Sequence, residues 1–222
     1  MMILNAIWSN SFDNAIAQAF SEFFTKLPEG IQEGIAAFSA LGNKGIFLIL
    51  IGLLFLIPKK TRKIACVCLL SVAMTALIND LCIKGPIGRA RPYMDPNLVT
   101  LLPSVKIING VPTPPGLMPG NDSFPSGHTF QCFAALGGMT FLYIFDKEDR
   151  KFNLWFLVFF AVYAVTMGFS RILLSHHYAT DVIAGGLIGF VVGIGIYYII
   201  KYTPVLYNKI KSKKEAKVDE TK

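Results

Sequence analysis

Four apolar runs, Ile64–Ile83, Gly127–Phe145, Phe152–Phe169 and Val182–Ile200, are each eighteen to twenty residues long and leave this chain few ways to fold. A helix needs about 20 such residues to cross a hydrocarbon layer of about 30 Å. Lipid offers no partner for a bare N–H or C=O, so the runs must close their hydrogen bonds internally. Only 16% of residues are charged and the mean hydropathy is +0.52. A soluble core would carry about a quarter. The expected fold is therefore all-α, a polytopic membrane helical bundle of about five to six spans, with residues 1–202 as one embedded domain.

The pieces between the runs refine this picture. Residues 5–26 place Ile7, Trp8, Phe12, Ile16, Phe20, Phe23 and Phe24 at helical spacing against Asp13, Gln18 and Glu22, which predicts an amphipathic helix at the interface or on the bundle. Ile46–Ile57 is too short to cross alone and must recruit residues upstream of Gly42, so Gly42-Asn43-Lys44-Gly45 reads as a kink or re-entry point. Residues 203–222 read as a basic, partly disordered tail. The opening MMILNAIWSNSFDNAI lacks a basic leader and an A-x-A-like site, so no removable signal peptide is expected. Cys66, Cys68, Cys82 and Cys132 lie in apolar runs and are expected to act as small hydrophobes, with neither a disulfide framework nor a zinc site.

A formal charge of +7 needs no nucleic acid to explain it, because no basic stripe interleaved with aromatics is present. The positive-inside rule assigns the Lys59–Lys63 turn, the Lys147–Lys151 turn and the lysine-rich tail to the cytoplasm. Alternating the spans then carries the long connection 84–125 and the stretch Ser170–Asp181 to the external face. The cations left there, chiefly Lys84, Arg89, Arg91, Lys106 and Arg171, defy the rule, and anion binding would account for them.

Three short segments concentrate the chemistry. Lys84-x6-Arg91-Pro92 places cations at a helix exit, where snorkelling to headgroups is the plain alternative. Pro125-Ser126-Gly127-His128 precedes an apolar run, so Ser126 can cap a helix whose first N–H groups face an anion; a simple cap beside an exposed histidine is the alternative. Ser170-Arg171-x5-His177-x3-Asp181 offers a histidine and an aspartate four residues apart, which a helix would align, although a histidine satisfied by backbone would look the same. Together they supply what a phosphoryl group requires: cations, N–H donors, a nucleophile and an acid. Asp181 is the one carboxylate in these motifs, which argues against a two-metal site and for a metal-free route. The connection 84–125 is too long for a passive turn and suggests a binding loop.

These motifs resemble the three signatures of the type 2 phosphatidic acid phosphatase superfamily, shared with vanadium haloperoxidases and glucose-6-phosphatase, and fit them without gaps from Lys84 to Asp181. The resemblance implies a metal-independent lipid phosphatase with no cofactor and with definite roles. His177 would be the nucleophile, with Asp181 orienting it, and His128 the general acid and base. Lys84, Arg91 and Arg171, helped by Ser126 and Gly127, would bind the phosphate. Family spacing favours His177 over His176, and Arg89 stays unassigned, expected to face headgroups. The implied substrate is a lipid phosphate or diphosphate drawn from the bilayer of the cell membrane, with undecaprenyl diphosphate favoured over phosphatidylglycerophosphate, phosphatidic acid or diacylglycerol diphosphate. A lipid phosphotransferase is a close variant. A transporter fits poorly, because the ionisable groups gather at one face and no inverted repeat is visible. A mere binder would need the cations but not the histidines and Asp181.

Overall fold

The computed structural model describes residues 10–118, 122–147 and 149–219. Its first helix, α1, runs Ser11–Thr25. Asn10 caps it, accepting from Asp13 N at 2.8 Å while its own amide reaches Asp13 Oδ2 at 3.1 Å. Of the amphipathic helix expected over 5–26, the stretch Ser11–Thr25 is helical with Asn10 as its cap, and residues 5–9 lie outside the described residues.

Helices α2 (Glu29–Leu41) and α3 (Ile46–Phe55) form a bent pair at 56°. Between them Lys44 and Gly45 turn left-handed, with φ of 49° and 71°. That conformation is cheap for Gly45 and costs Lys44 about 1 kcal/mol. Gln131 secures the bend by donating to Gly42 O at 2.6 Å. The kink expected at Gly42–Gly45 thus exists and is fastened to the centre of the bundle.

Helix α4 (Arg62–Met74) continues through a π-helical segment, Thr75–Lys84, into the short α5 (Gly85–Ile87). The chain then crosses the end of the bundle, where β1 (Lys106–Ile108) pairs antiparallel with β2 (Val111–Thr113) around Asn109 and Gly110. Both turn residues have positive φ, as a tight hairpin requires. The long connection is accordingly a built structure, with Tyr93, Leu98 and Leu102 buried beneath it.

Helix α6 (Gly127–Phe145) is the most enclosed element, wrapped by α4, α7 (Arg150–Leu173) and α8 (Ala179–Asp219). Its seam with α8 is drawn in by glycines. A Cβ on Gly189 would sit 2.3 Å from Phe130 O, and one on Gly193 2.2 Å from Ala134 O. Small residues at this spacing let backbones meet where lipid gives no hydrophobic drive between helices. Around the seam Leu48, Ile64, Val67, Met139, Phe160 and Met167 form the core.

Of the five to six spans expected, three helical stretches among the described residues are long and apolar enough to cross alone, and α2 with α3 makes a fourth if the bent pair counts as one. Helix α6 traverses the same bundle inside that ring. Trp155, Val162, Leu187 and Val191 stand exposed on the outside, as a lipid-facing surface demands. At one end Lys63 pairs with Asp146 and Lys60 with Asp149 (3.4 Å), which joins the two basic turns. Helix α8 does not stop at Ile200: its backbone stays helical through Pro204 to Asp219, where a partly disordered tail was expected. The four cysteines are free thiols, and Cys82 is exposed, not buried as its apolar surroundings suggested.

Candidate active site

Chain direction alone gathers the candidate residues at the end of the bundle opposite the basic turns. Helix α4 arrives there at Lys84, α6 departs at Gly127, α7 arrives at Arg171 and α8 departs at Ala179. Lys84 and Gly127 are neighbours, since a Cβ on Gly127 would lie 3.9 Å from Lys84 Nζ and 3.2 Å from Asn79 Nδ2. Ser126 ties the second motif to the third by donating its N–H to Asp181 O at 3.1 Å. Its hydroxyl caps α6, taking Thr129 N at 3.4 Å and Thr129 Oγ1 at 2.9 Å.

His177 lies in the short turn between α7 and α8, so it is not on the helix that carries Asp181. What joins them is the start of α8. Asp181, at its third position, reaches back to accept from Tyr178 N at 2.9 Å, as the acidic member of a capping box does. The same oxygen is 3.4 Å from His177 Nδ1. On the other side of the ring, Nε2 is 3.0 Å from Arg91 Nη1. An arginine can only donate, so Nε2 carries the lone pair and Nδ1 the proton facing Asp181. Burial first, then Arg91, Arg171, Lys84 and His128, hold the His177 imidazole well below its ordinary 6.5 and keep it neutral.

The cations are aimed by backbone and side-chain partners. Arg91 donates to His176 O at 2.6 Å and Asp122 O at 2.8 Å. Arg171 reaches Ser39 Oγ on α2 at 2.6 Å, while its Nε is buried without a hydrogen bond among the described residues. A buried donor of this kind is a place for an oxyanion. Lys84, Gly127 and His128 are partly exposed, and they form the open side of an otherwise enclosed cluster. His176 is buried, its ring without a hydrogen bond of good geometry among the described residues, and burial with Arg171 and Arg91 lowers its basicity too.

Four participants escaped the sequence reading. Ser123 donates to Asp181 Oδ2 at 2.5 Å and stands 3.4 Å from His177 Nδ1. Asn43, at the kink, holds His128 Nε2 at 2.9 Å through its Oδ1. Asp13 and Arg89 belong together, and Arg89 is a correction. Arg89 was expected to face headgroups, yet it is 3% exposed and donates to Asp181 Oδ1 at 2.5 Å and Asp13 Oδ2 at 2.7 Å. Two buried carboxylates outbid the interface for one guanidinium. Asp13 was visible as a charge on an amphipathic helix, but nothing local marked it as buried.

A helical membrane bundle that gathers Lys84, Arg91, Arg171, His128 and His177 beside a capped helix start at one end defines a class: an integral-membrane protein with a cationic, histidine-bearing cluster at one end of its helices. Residues 64–204 match the PAP2 superfamily, and the chain belongs to that family. It is 29% identical over 150 residues to lipid phosphate phosphatase 2 of Arabidopsis thaliana, covering 63% of this chain and 51% of the relative. With undecaprenyl-diphosphatase of Sulfolobus acidocaldarius it shares 28% over 136 residues, 61% of this chain and 55% of the relative. The chain thus spans about half the length of these curated relatives. The fold is similar to that of a transmembrane PAP2-type phosphatidylglycerolphosphate phosphatase from Bacillus subtilis, with a TM-score of 0.57, 22% identity and 90% of each chain covered.

Proposed function

We propose that this chain is a membrane lipid phosphatase that works through a phosphohistidine on His177 and needs no metal. The observation that carries the reading is the pair of partners on one imidazole: a carboxylate at Nδ1 and a guanidinium at Nε2. His177 Nε2 attacks phosphorus in line, the bond from phosphorus to the leaving oxygen breaks, and His128 gives that oxygen a proton. As the phosphoryl group arrives, Arg91 turns its hydrogen bond from Nε2 to the oxyanion, where Lys84, Arg171, Ser126 and the Gly127 N–H add theirs. Asp181 balances the charge that grows on the imidazole. Water then attacks phosphorus, the P–N bond breaks, and His128 takes the proton. Both oxygens of Asp181 are already committed to Arg89, Ser123 and Tyr178 N, so the one carboxylate of the three motifs is not open to a metal ion.

The substrate is a lipid whose tail stays in the bilayer, and undecaprenyl diphosphate is the one proposed, cleaved at the external face of the cell membrane. The name of the Sulfolobus acidocaldarius relative supports that choice. Names of other relatives, among them a lipid A 4'-phosphatase of Bacteroides thetaiotaomicron, keep glycolipid and glycerolipid phosphates as the alternative. Purified protein should release phosphate from a panel of polyprenyl and glycerolipid phosphates in excess EDTA. His177→Ala and His128→Ala should each lose at least about 1,000-fold while remaining folded. Near-normal release by His177→Ala refutes the nucleophile, and loss in EDTA restored by magnesium refutes the metal-free route.

A further inference from the structure

Asp13 stands outside the residues matched to the family and outside its three motifs, yet it is completely buried beside the site. A buried carboxylate costs several kcal/mol unless it is paired, and Asp13 is paired on both oxygens. Its Oδ2 accepts from Arg89 Nη2 at 2.7 Å, from Thr180 Oγ1 at 2.6 Å and from Asn10 Nδ2 at 3.1 Å, and its Oδ1 takes Thr180 N at 3.0 Å. Thr180 N is one of the orphan donors at the start of α8, so α1 caps the helix that carries Asp181. Arg89 then bridges: Nη1 goes to Asp181 Oδ1, Nη2 to Asp13, and its guanidinium stacks 4.0 Å from the Tyr178 ring. The line Asp13–Arg89–Asp181–His177 is continuous, every member is at most 3% exposed, and it begins on an element that supplies none of the phosphate ligands.

We infer that Asp13 is a positioning residue of the reaction proposed above, sharing Arg89 with Asp181 so that Asp181 keeps enough negative charge to support His177. The inference rests on the phosphohistidine reading. An arginine paired with Asp181 alone would keep that carboxylate ionised but screen most of its charge from the imidazole. With a second carboxylate behind it, Arg89 is divided, and Asp181 can still balance the positive imidazole formed on attack. The other titratable groups facing that ring are Arg91, Lys84, Arg171 and His128, and a positive charge on any of them opposes one on the ring. Asp181 is therefore the acidic counterweight at the ring, and Asp13 governs how much of it is available.

The test uses full-length protein in detergent, with farnesyl diphosphate as the probe. Asp13→Asn removes the charge and keeps the shape. It should lower kcat about tenfold, leave KM within about twofold, and move the acid limb of kcat/KM downward by about half a pH unit or more. Asp13→Glu restores the charge and should recover kcat to within about threefold of the parent. Arg89→Lys cannot bridge both carboxylates, so more of Asp181's charge is left to the ring and the acid limb should move upward. Ser21→Ala loosens α1 from Ser104 (Oγ to Oγ, 2.7 Å) without touching charge, and its acid limb should stay in place. If Asp13→Asn keeps the parent kcat and limb while His177→Ala is inactive, this inference fails and the phosphohistidine reading stands; an active His177→Ala fails that reading instead. Should Asp13→Asn not fold, an unmoved limb in Arg89→Lys overturns the inference equally.

Discussion

His177, the proposed nucleophile, is surrounded by cations, and that environment sets a pH signature. Burial and the charges of Arg91, Arg171, Lys84 and His128 depress its basicity, so the neutral, attacking form persists below the ordinary imidazole value of 6.5. The acid limb of kcat/KM should accordingly lie below pH 6.5, and a limb at or above that value would contradict a depressed nucleophile. Stability carries the same sign. His176 and His177 refuse protons in the fold that the unfolded chain accepts below about 6.5, so they add no acid penalty above that pH and destabilise increasingly beneath it. Thermal scans in detergent should show a midpoint that falls as pH drops from 7 to 5. Replacing His176 with Asn, which cannot take up a proton in either state, should flatten part of that fall.

At the scale of elements, the seam between α6 and α8 decides whether the site assembles at all. Ser126 and Asp181 are joined across it, and its glycines leave no room for a side chain. Gly189→Val should therefore lower stability by about 2 kcal/mol or more, because its Cβ would strike Phe130 O and the helices must part. Gly195→Ala, with nothing within 4 Å of its Cβ, should be neutral or raise the melting midpoint through helix propensity. Equal effects of the two would show that the close approach is not what holds the seam. The same contrast explains what could be read from the sequence. The three motifs were legible because cation, cap and histidine chemistry needs particular residues at short spacing, and the runs behind them carry a plain hydropathy signal. Ser123, Asn43 and Asp13 were not legible, since each meets its partner only through packing: Asn43 and His128 are 85 residues apart, Asp13 and Thr180 167. Arg89 was misread because a cation at a helix exit snorkels by default, and only the fold reveals the two acids waiting for it.

For the whole molecule, the arrangement of charge separates two ends with different tasks. The basic turns meet through Lys63 with Asp146 and Lys60 with Asp149, and Lys201 lies near the rings of Phe145 and Tyr197 at that same end. The other end holds Lys84, Arg91 and Arg171, which are buried or half-buried around the candidate phosphate site and so are not free to act as topogenic charges at the surface. Once these are set aside, the exposed lysines among the described residues fall mainly at the first end, and on the positive-inside rule we propose that this end faces the cytoplasm. Single cysteines placed at Lys147 and Lys106, in a background with Cys66, Cys68, Cys82 and Cys132 replaced by alanine, test that orientation directly. A membrane-impermeant maleimide applied to intact cells should label Lys106→Cys at once and Lys147→Cys only after permeabilisation. The opposite pattern would put the histidines on the cytoplasmic side, where an undecaprenyl diphosphate presented at the outer face could not reach them.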